Sequence, residues 1–304
     1  MMTTSATFEE EFADLEARLR VVLPEPYQEC YETVEPVSMG SAGLKFGADG
    51  RVAWDEMWGS FCDLAMAGGP PHKGTLLEPG LPAEIAAEPE RYSEVVAEIV
   101  RGIGMVTELP AEASPHAGWV RVRCRNEAMS GWLVRAILME NVSARVERTV
   151  VELPAGPGYR LEKEIKNVVT AVAKTTHYYM EHMRPVQHLG IASLLARMES
   201  DAPLIQPAPL GWPGSEELGR RMAAGIGDST GLAAAGSAYA GWLGVEIGEV
   251  RTAIGMMRVL TVLHVLARRE GTVLFVPIDP RSDPGGEMTV QAVAKAHRFA
   301  AVRK

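Results

Sequence analysis

Cysteine is almost missing from this chain: Cys30, Cys62 and Cys124 are the only three in 304 residues, with no CxxC pair. An odd, sparse set excludes a disulfide framework and a cysteine-rich zinc motif, and it predicts a reduced, cytoplasmic protein. Aromatic residues make up only 6% of the chain. Positive charge is also short, with 30 Lys and Arg against 39 Asp and Glu and a formal net charge of −9. A nucleic-acid binder normally shows a basic face, so nucleic acid is not an expected partner. No long hydrophobic run occurs. The longest apolar stretch, 254–267, is interrupted by Arg258 and His264 and is too short to span a bilayer, so it reads as a buried helix and no membrane partner is expected. Residues 3–11 are polar and acidic, unlike a secretory leader. No Ser sits in a GxSxG elbow, the turn from strand to helix that presents a nucleophile, and the motifs HExxH and HxxEH are absent.

What the chain does contain is a version of itself. Shifted by 123 residues, Gly102-Ile103-Gly104 falls on Gly225-Ile226-Gly227 and Ala117-Gly118-Trp119 falls on Ala240-Gly241-Trp242. The same shift pairs Thr107 with Thr230, Arg135 with Arg258, Arg145 with Arg268 and Pro154 with Pro277. About a third of positions 101–154 are identical in this register, and with a slightly different offset Ala171-Val172-Ala173-Lys174 meets Ala292-Val293-Ala294-Lys295. Internal repetition of this kind predicts architecture before any local signal does.

The expected fold is α+β: a tandem internal duplication of an α-β-α-β-β-α unit packed about a pseudo-twofold, with a mainly helical N-terminal segment. Residues 1–90 form that segment. Thr7 and Glu10 have capping-box spacing, and Phe8, Phe12, Leu15, Leu19 and Val22 make one apolar stripe over 7–22. A small hairpin is expected over 44–53 around Asp49-Gly50, then a helix burying Trp54, Met57, Trp58, Phe61 and Leu64. Residues 91–183 and 215–304 are the repeat units, joined by a linker with a short helix, 184–214. Each unit starts with a helix ending in Gly-Ile-Gly, where Gly104 and Gly227 suit a left-handed cap. The strands 119–124 and 242–247 alternate apolar and polar residues, and helices follow at 127–140 and 250–264. Residues 141–153 and 264–276 read as hairpins, with one long strand as the alternative. Closing helices cover 159–183 and 286–301.

Two copies under one folding constraint share what the fold needs, so polar groups in only one copy are freer to serve function. Copy one carries Arg121, Arg123 and Arg125 on one strand face, where copy two has Gly244, Glu246 and Gly248. Three aligned guanidinium groups call for carboxylates or a bound anion between them. On the closing helix of copy one, Lys166, Thr170, Lys174, His177 and Glu181 form a polar stripe opposite Ile165, Val168, Val169, Val172 and Tyr179. His177 and Glu181 are four apart, suited to an imidazole steered by a carboxylate or to two ligands of a metal. By helical spacing His182 points away from His177. His72 and Lys73 lie in the stiff, proline-containing segment 68–75, which does not meet the pattern GxxxxGK[ST].

These residues lead to an enzyme acting on a carboxylate- or phosphate-bearing small molecule in a cleft between the repeats. His177, steered by Glu181 and with Lys174 nearby, does the acid–base work. Lys166, Arg121, Arg123, Arg125, His72 and Lys73 hold the substrate. One alternative is a metal-handling enzyme, such as a chelatase or metal-dependent lyase, with a divalent ion on His177 and Glu181. Another is a non-catalytic ligand-binding or assembly subunit, with the N-terminal helix docking a partner. A homo-oligomer is also expected.

Overall fold

The computed structural model describes residues 7–29, 43–57, 66, 74–209, 212–236 and 239–302. Among them are nine α-helices and two four-stranded antiparallel sheets, a mixed α+β architecture. The chain divides into two compact units. Unit 1 joins residues 1–32 to 185–304, and unit 2 is residues 33–184. The expected helix face at Trp58, Phe61 and Leu64 lies outside the described residues, as do His72 and Lys73.

Helix α1 (Phe8–Val22) starts where its capping box predicts: the Glu10 N–H donates to Thr7 Oγ1, and the Thr7 N–H donates to Glu10 Oε2. In unit 2, residues 43–57 include a tight turn in which Phe46 bridges Val52. Then come α2 (Pro82–Ala87), α3 (Pro89–Thr107), β1 (Ala111–Ala113), β2 (Trp119–Arg123), α4 (Glu127–Met139), β3 (Arg145–Glu147) and β4 (Val150–Pro154). The unit closes with α5 (Lys166–His177), flanked by π-helical turns at Leu161–Ile165 and Tyr178–His182. Unit 1 continues with α6 (Pro185–Asp201), α7 (Ser215–Thr230), β5 (Ala234–Ala235), β6 (Trp242–Glu246), α8 (Val250–Val262), β7 (Arg268–Glu270), β8 (Val273–Pro277) and α9 (Glu287–Val302).

The two sheets have the strand orders β1-β2-β4-β3 and β5-β6-β8-β7. Their central registers correspond: Trp119 faces Pro154, and Trp242 faces Pro277. Each half therefore reads α-β-β-α-β-β-α, one strand more than expected. The added strands β1 and β5 are too short and too rich in Ala to carry a strand pattern. Residues 141–153 and 264–276 are hairpins, turning where Arg148 and Gly271 take positive φ.

The alternation of β2 and β4 decides which sheet face is core. Val120, Val122, Val151 and Leu153 are buried, with α3 against β1 and β2 and α4 against β3 and β4. Helix α5 packs on α3 and α4 and is covered nearly all round, as Lys166, Val168, Val172, Lys174 and Thr175 are all buried. In unit 1, α1 packs on α6 and α8, burying Leu15, Leu19 and Val22, and Phe12 stacks on Phe299 at 4.5 Å. Each such aliphatic side chain contributes about 1.5–3 kcal/mol of transfer free energy.

The Gly-Ile-Gly segments do not cap their helices. α3 and α7 run on to Thr107 and Thr230, and the left-handed residues are Glu108 and Gly231. Gly102 matters for another reason: a Cβ there would lie 2.7 Å from Val169 on α5 and 3.0 Å from the Trp54 indole nitrogen. At Gly104 a Cβ would meet nothing within 4 Å.

These two glycines, two residues apart on one helix, respond oppositely to alanine. Gly102→Ala overpacks the α3–α5 contact and lowers stability by about 1–3 kcal/mol. Gly104→Ala removes unfolded-state freedom and raises it by about 0.5–1 kcal/mol. Urea unfolding of both variants checks the pair of signs.

Candidate functional site

The sheet face of unit 2 turned away from α3 and α4 carries charge in a regular row. Glu112 on β1 faces Arg121 on β2, Arg121 faces Glu152 on β4, and Glu152 faces Arg145 on β3. Opposite charges on neighbouring strands stabilise such a row. Glu152 is its hub. Arg145 Nε donates to Oε2 at 2.5 Å, while the Ser114 hydroxyl and His116 Nδ1 share Oε1, the imidazole at 3.0 Å. Burial alone would raise the Glu152 pKa, but the hydrogen bonds from Ser114 and His116 and the Arg145 guanidinium outweigh it, so the carboxyl is held below its ordinary range. The Arg145 guanidinium also lies 4.2 Å over the Trp119 ring.

His116 is 60% exposed at its side chain. With Nδ1 engaged by a carboxylate, Nε2 is the nitrogen presented outward. Arg121, which faces Glu152 across the strand pair, and Arg123 line a cavity of about 60 Å³ together with Pro110, Ala111, Glu112 and Val150, and neither Glu152 nor His116 is among its lining residues. Arg121 is only loosely paired, its Nη1 lying 3.9 Å from Glu112 Oε1. Among the described residues Arg123 and Arg125 enter no ion pair. Arg125 lies two residues past the end of β2, just before the Asn126 cap of α4.

The corresponding row of the other sheet is closed. Ala235, Gly244, Phe275 and Arg268 stand where Glu112, Arg121, Glu152 and Arg145 do. Arg268 is fully buried, 4.0 Å from the Phe275 ring, 4.4 Å from Tyr239 and 5.1 Å from Trp242, and it donates to Glu270 at 2.6 Å. Phe275 lies against Gly244, where a Cβ would come within 3.3 Å of the ring.

The α5 residues are arranged differently from the expected polar stripe. Lys166, Thr170 and Lys174 are buried. Burial lowers the Lys166 pKa from its ordinary value. Lys174 Nζ lies 2.8 Å from Glu140 Oε1, and the Glu140 side chain has no exposure. His177 Nδ1 does meet Glu181 Oε1, at 3.1 Å. His182 points toward His177, not away from it, with the two Nε2 atoms 3.1 Å apart. The cause is the π-helical turn, whose wider winding brings the fifth residue onward back over the first. Since α5 packs on the helices that cover the opposite sheet face, the arginines and the α5 cluster do not share a surface within this unit.

Cys124 is buried at the end of β2, and burial pushes its thiol up to about 12, which rules out a ready nucleophile. His264 is buried with Nδ1 3.0 Å from the Ala202 carbonyl and has a positive φ just after α8, a structural capping position. Among the described residues no three His, Cys, Asp or Glu side chains gather in a form suited to a metal ion, and no helix is long and apolar enough to cross a membrane.

Sequence reading missed His116, Ser114, Glu152 and Glu140. Glu152 left a signal, as the one acid in the strand Val150–Pro154 of an expected hairpin. His116 and Glu140 left none, because their partners are 36 and 34 residues away. No protein-family model, curated protein or solved structure matches this chain.

Two outcomes follow. Lys174→Met strands Glu140 in the interior and costs roughly 3–5 kcal/mol, whereas the double variant Lys174→Met/Glu140→Leu recovers most of that, as chemical denaturation will read. Glu152 has a depressed pKa when folded, so its stabilisation is present above the ordinary carboxylate value and disappears as pH falls through the folded value. The unfolding midpoint of wild type should therefore drop in acid more steeply than that of Glu152→Gln, which is less stable at neutral pH.

Proposed function

We propose that the sheet face of unit 2 binds a carboxylate- or phosphate-bearing small molecule and acts on it by acid–base chemistry centred on an imidazole. The observation that carries this reading is the Glu152–His116 pair on the same sheet face as Arg121, which faces Glu152 in the register and lines a small cavity with Arg123. Arg121 and Arg123 grip the anion, since guanidinium forks match carboxylate and phosphate oxygens in pairs. Arg125 adds positive charge at the end of the strand. Glu152 keeps the proton on His116 Nδ1, so Nε2 accepts or returns a proton at the substrate. Ser114 donates to the same carboxylate and holds it in place.

The acid–base role passes here from His177 to His116. In support, Lys174 is committed to Glu140, Lys166 is buried, and the arginines lie on the His116 side of the sheet. The packing of α1 on α6 and α8 weighs against an assembly subunit that docks through that helix.

We also propose that the two halves descend from one duplicated unit. Equal strand order, corresponding register and the 123-residue offset support it. On that reading the aromatic row around Arg268 is the copy that serves stability, and the charged row around Glu152 is the copy that serves chemistry.

Thermal-shift measurement with phosphate, pyrophosphate, citrate and a set of sugar phosphates tests the site. At least one anion should raise the Tm of wild type and not that of Arg121→Ala/Arg123→Ala. A shift retained in the double variant overturns the anchor. For an anion that is converted, product detection by mass spectrometry should show kcat falling about 10²–10⁴-fold in His116→Ala with KM little changed. Binding without conversion replaces the enzyme with a ligand-binding protein.

A further inference from the structure

The π-helical turn Tyr178–His182 brings together two imidazoles that a regular α-helix would hold apart. The distance between them is informative. A first-row divalent ion takes imidazole nitrogens at about 2.0–2.1 Å, so two neighbouring ligands in tetrahedral or octahedral geometry stand roughly 2.9–3.4 Å from each other. His177 Nε2 and His182 Nε2 are 3.1 Å apart.

The other His177 nitrogen has the partner such a ligand needs. Nδ1 meets Glu181 Oε1 at 3.1 Å, which places the proton on Nδ1 and directs the Nε2 lone pair toward His182. A metal-bound histidine characteristically donates its second N–H to a carboxylate in this way. Glu181 itself is 67% exposed at its side chain, and His177 is 20% exposed, so solvent reaches the pair. Tyr178, at the start of the same turn, lies with its ring 5.3 Å from that of His182.

We propose that His177 and His182 form a two-imidazole site for a divalent transition ion of borderline softness, with Glu181 as a positioning residue and not a ligand. Among the described residues two donors are present, and no third His, Cys, Asp or Glu joins them. Positions on the ion that no side chain fills take water or a small ligand carried in. Imidazole donors select Zn²⁺, Cu²⁺ and Ni²⁺ over Mg²⁺ and Ca²⁺. The site is on a different element from the sheet-face cleft, and neither depends on the other.

Isothermal titration with Zn²⁺ alone, on full-length protein stripped by chelator, tests it, with Mg²⁺ as the comparison. Wild type should bind Zn²⁺ with a component that is lost in His182→Ala and in His177→Ala. Glu181→Gln should keep that component but weaken it about 10–100-fold, the usual effect of losing a carboxylate behind a ligand. Urea midpoints of the variants show whether each is folded. If His177→Ala fails to fold, the exposed-side variant His182→Ala decides alone. Equal Zn²⁺ binding by wild type and His182→Ala, or no Zn²⁺ binding by wild type, overturns the site. Unchanged affinity in Glu181→Gln overturns the positioning role.

Discussion

Helix α5 is covered nearly all round, so the charge of its buried Lys174 is stable only with an opposite charge close by. Glu140, at the end of α4, is that opposite, fully buried and 2.8 Å away. An ammonium and a carboxylate removed from water each cost several kcal/mol before their attraction returns it, so the pair tolerates little displacement. It therefore ties α5 to α4 at one height. The close contact of Gly102 with Val169 ties α5 to α3 in the same manner, by shape instead of charge. With both neighbours fixed, the position of the sheet beneath α3 and α4 follows, and so does the point at which α5 widens into the turn that holds His177 and His182.

The two sheets show how one backbone plan accommodates opposite chemistry. In both, an arginine on the outer hairpin strand lies over a tryptophan at the start of the central strand, Arg145 with Trp119 and Arg268 with Trp242. What differs is the residue facing that arginine across the strand pair. Phe275 in unit 1 completes an aromatic enclosure and needs Gly244 beneath it. Glu152 in unit 2 gathers Arg145, Ser114 and His116 and stands across from Arg121. With Glu112, Arg121 and Glu152 where the other sheet has Ala235, Gly244 and Phe275, the same row is a hydrogen-bonded charged surface instead of a sealed packing contact.

Much of the fold was legible in the sequence because its signals are local or repeated. The Thr7–Glu10 cap, the alternation of β2 and the hairpins after α4 and α8 depend on residues within a dozen positions of each other. The strands β1 and β5 were not legible, since three and two small residues carry no period. The helix ends were misplaced because Gly104 and Gly227 resemble caps locally, whereas the loops turn at Glu108 and Gly231. Of the site, the arginines were readable from alternation and the His177–Glu181 pair from helical spacing. His182 was misread because an α-helical angle was applied to a π-helical turn. Glu140 and His116 were invisible because each gains its meaning from a partner more than thirty residues distant.

Helix α1 belongs to a unit whose other members lie far along the chain. Its apolar stripe is covered by α6 and by α8, which ends at Val262. During synthesis at roughly 5–20 residues per second, that stripe leaves the ribosome on the order of ten seconds or more before its cover exists. Unit 2 is continuous in sequence and can complete itself in that interval. Phe12, Leu15, Leu19 and Val22 meanwhile remain an exposed amphipathic surface, so the nascent chain, unlike the finished one, presents a segment for chaperones to recognise.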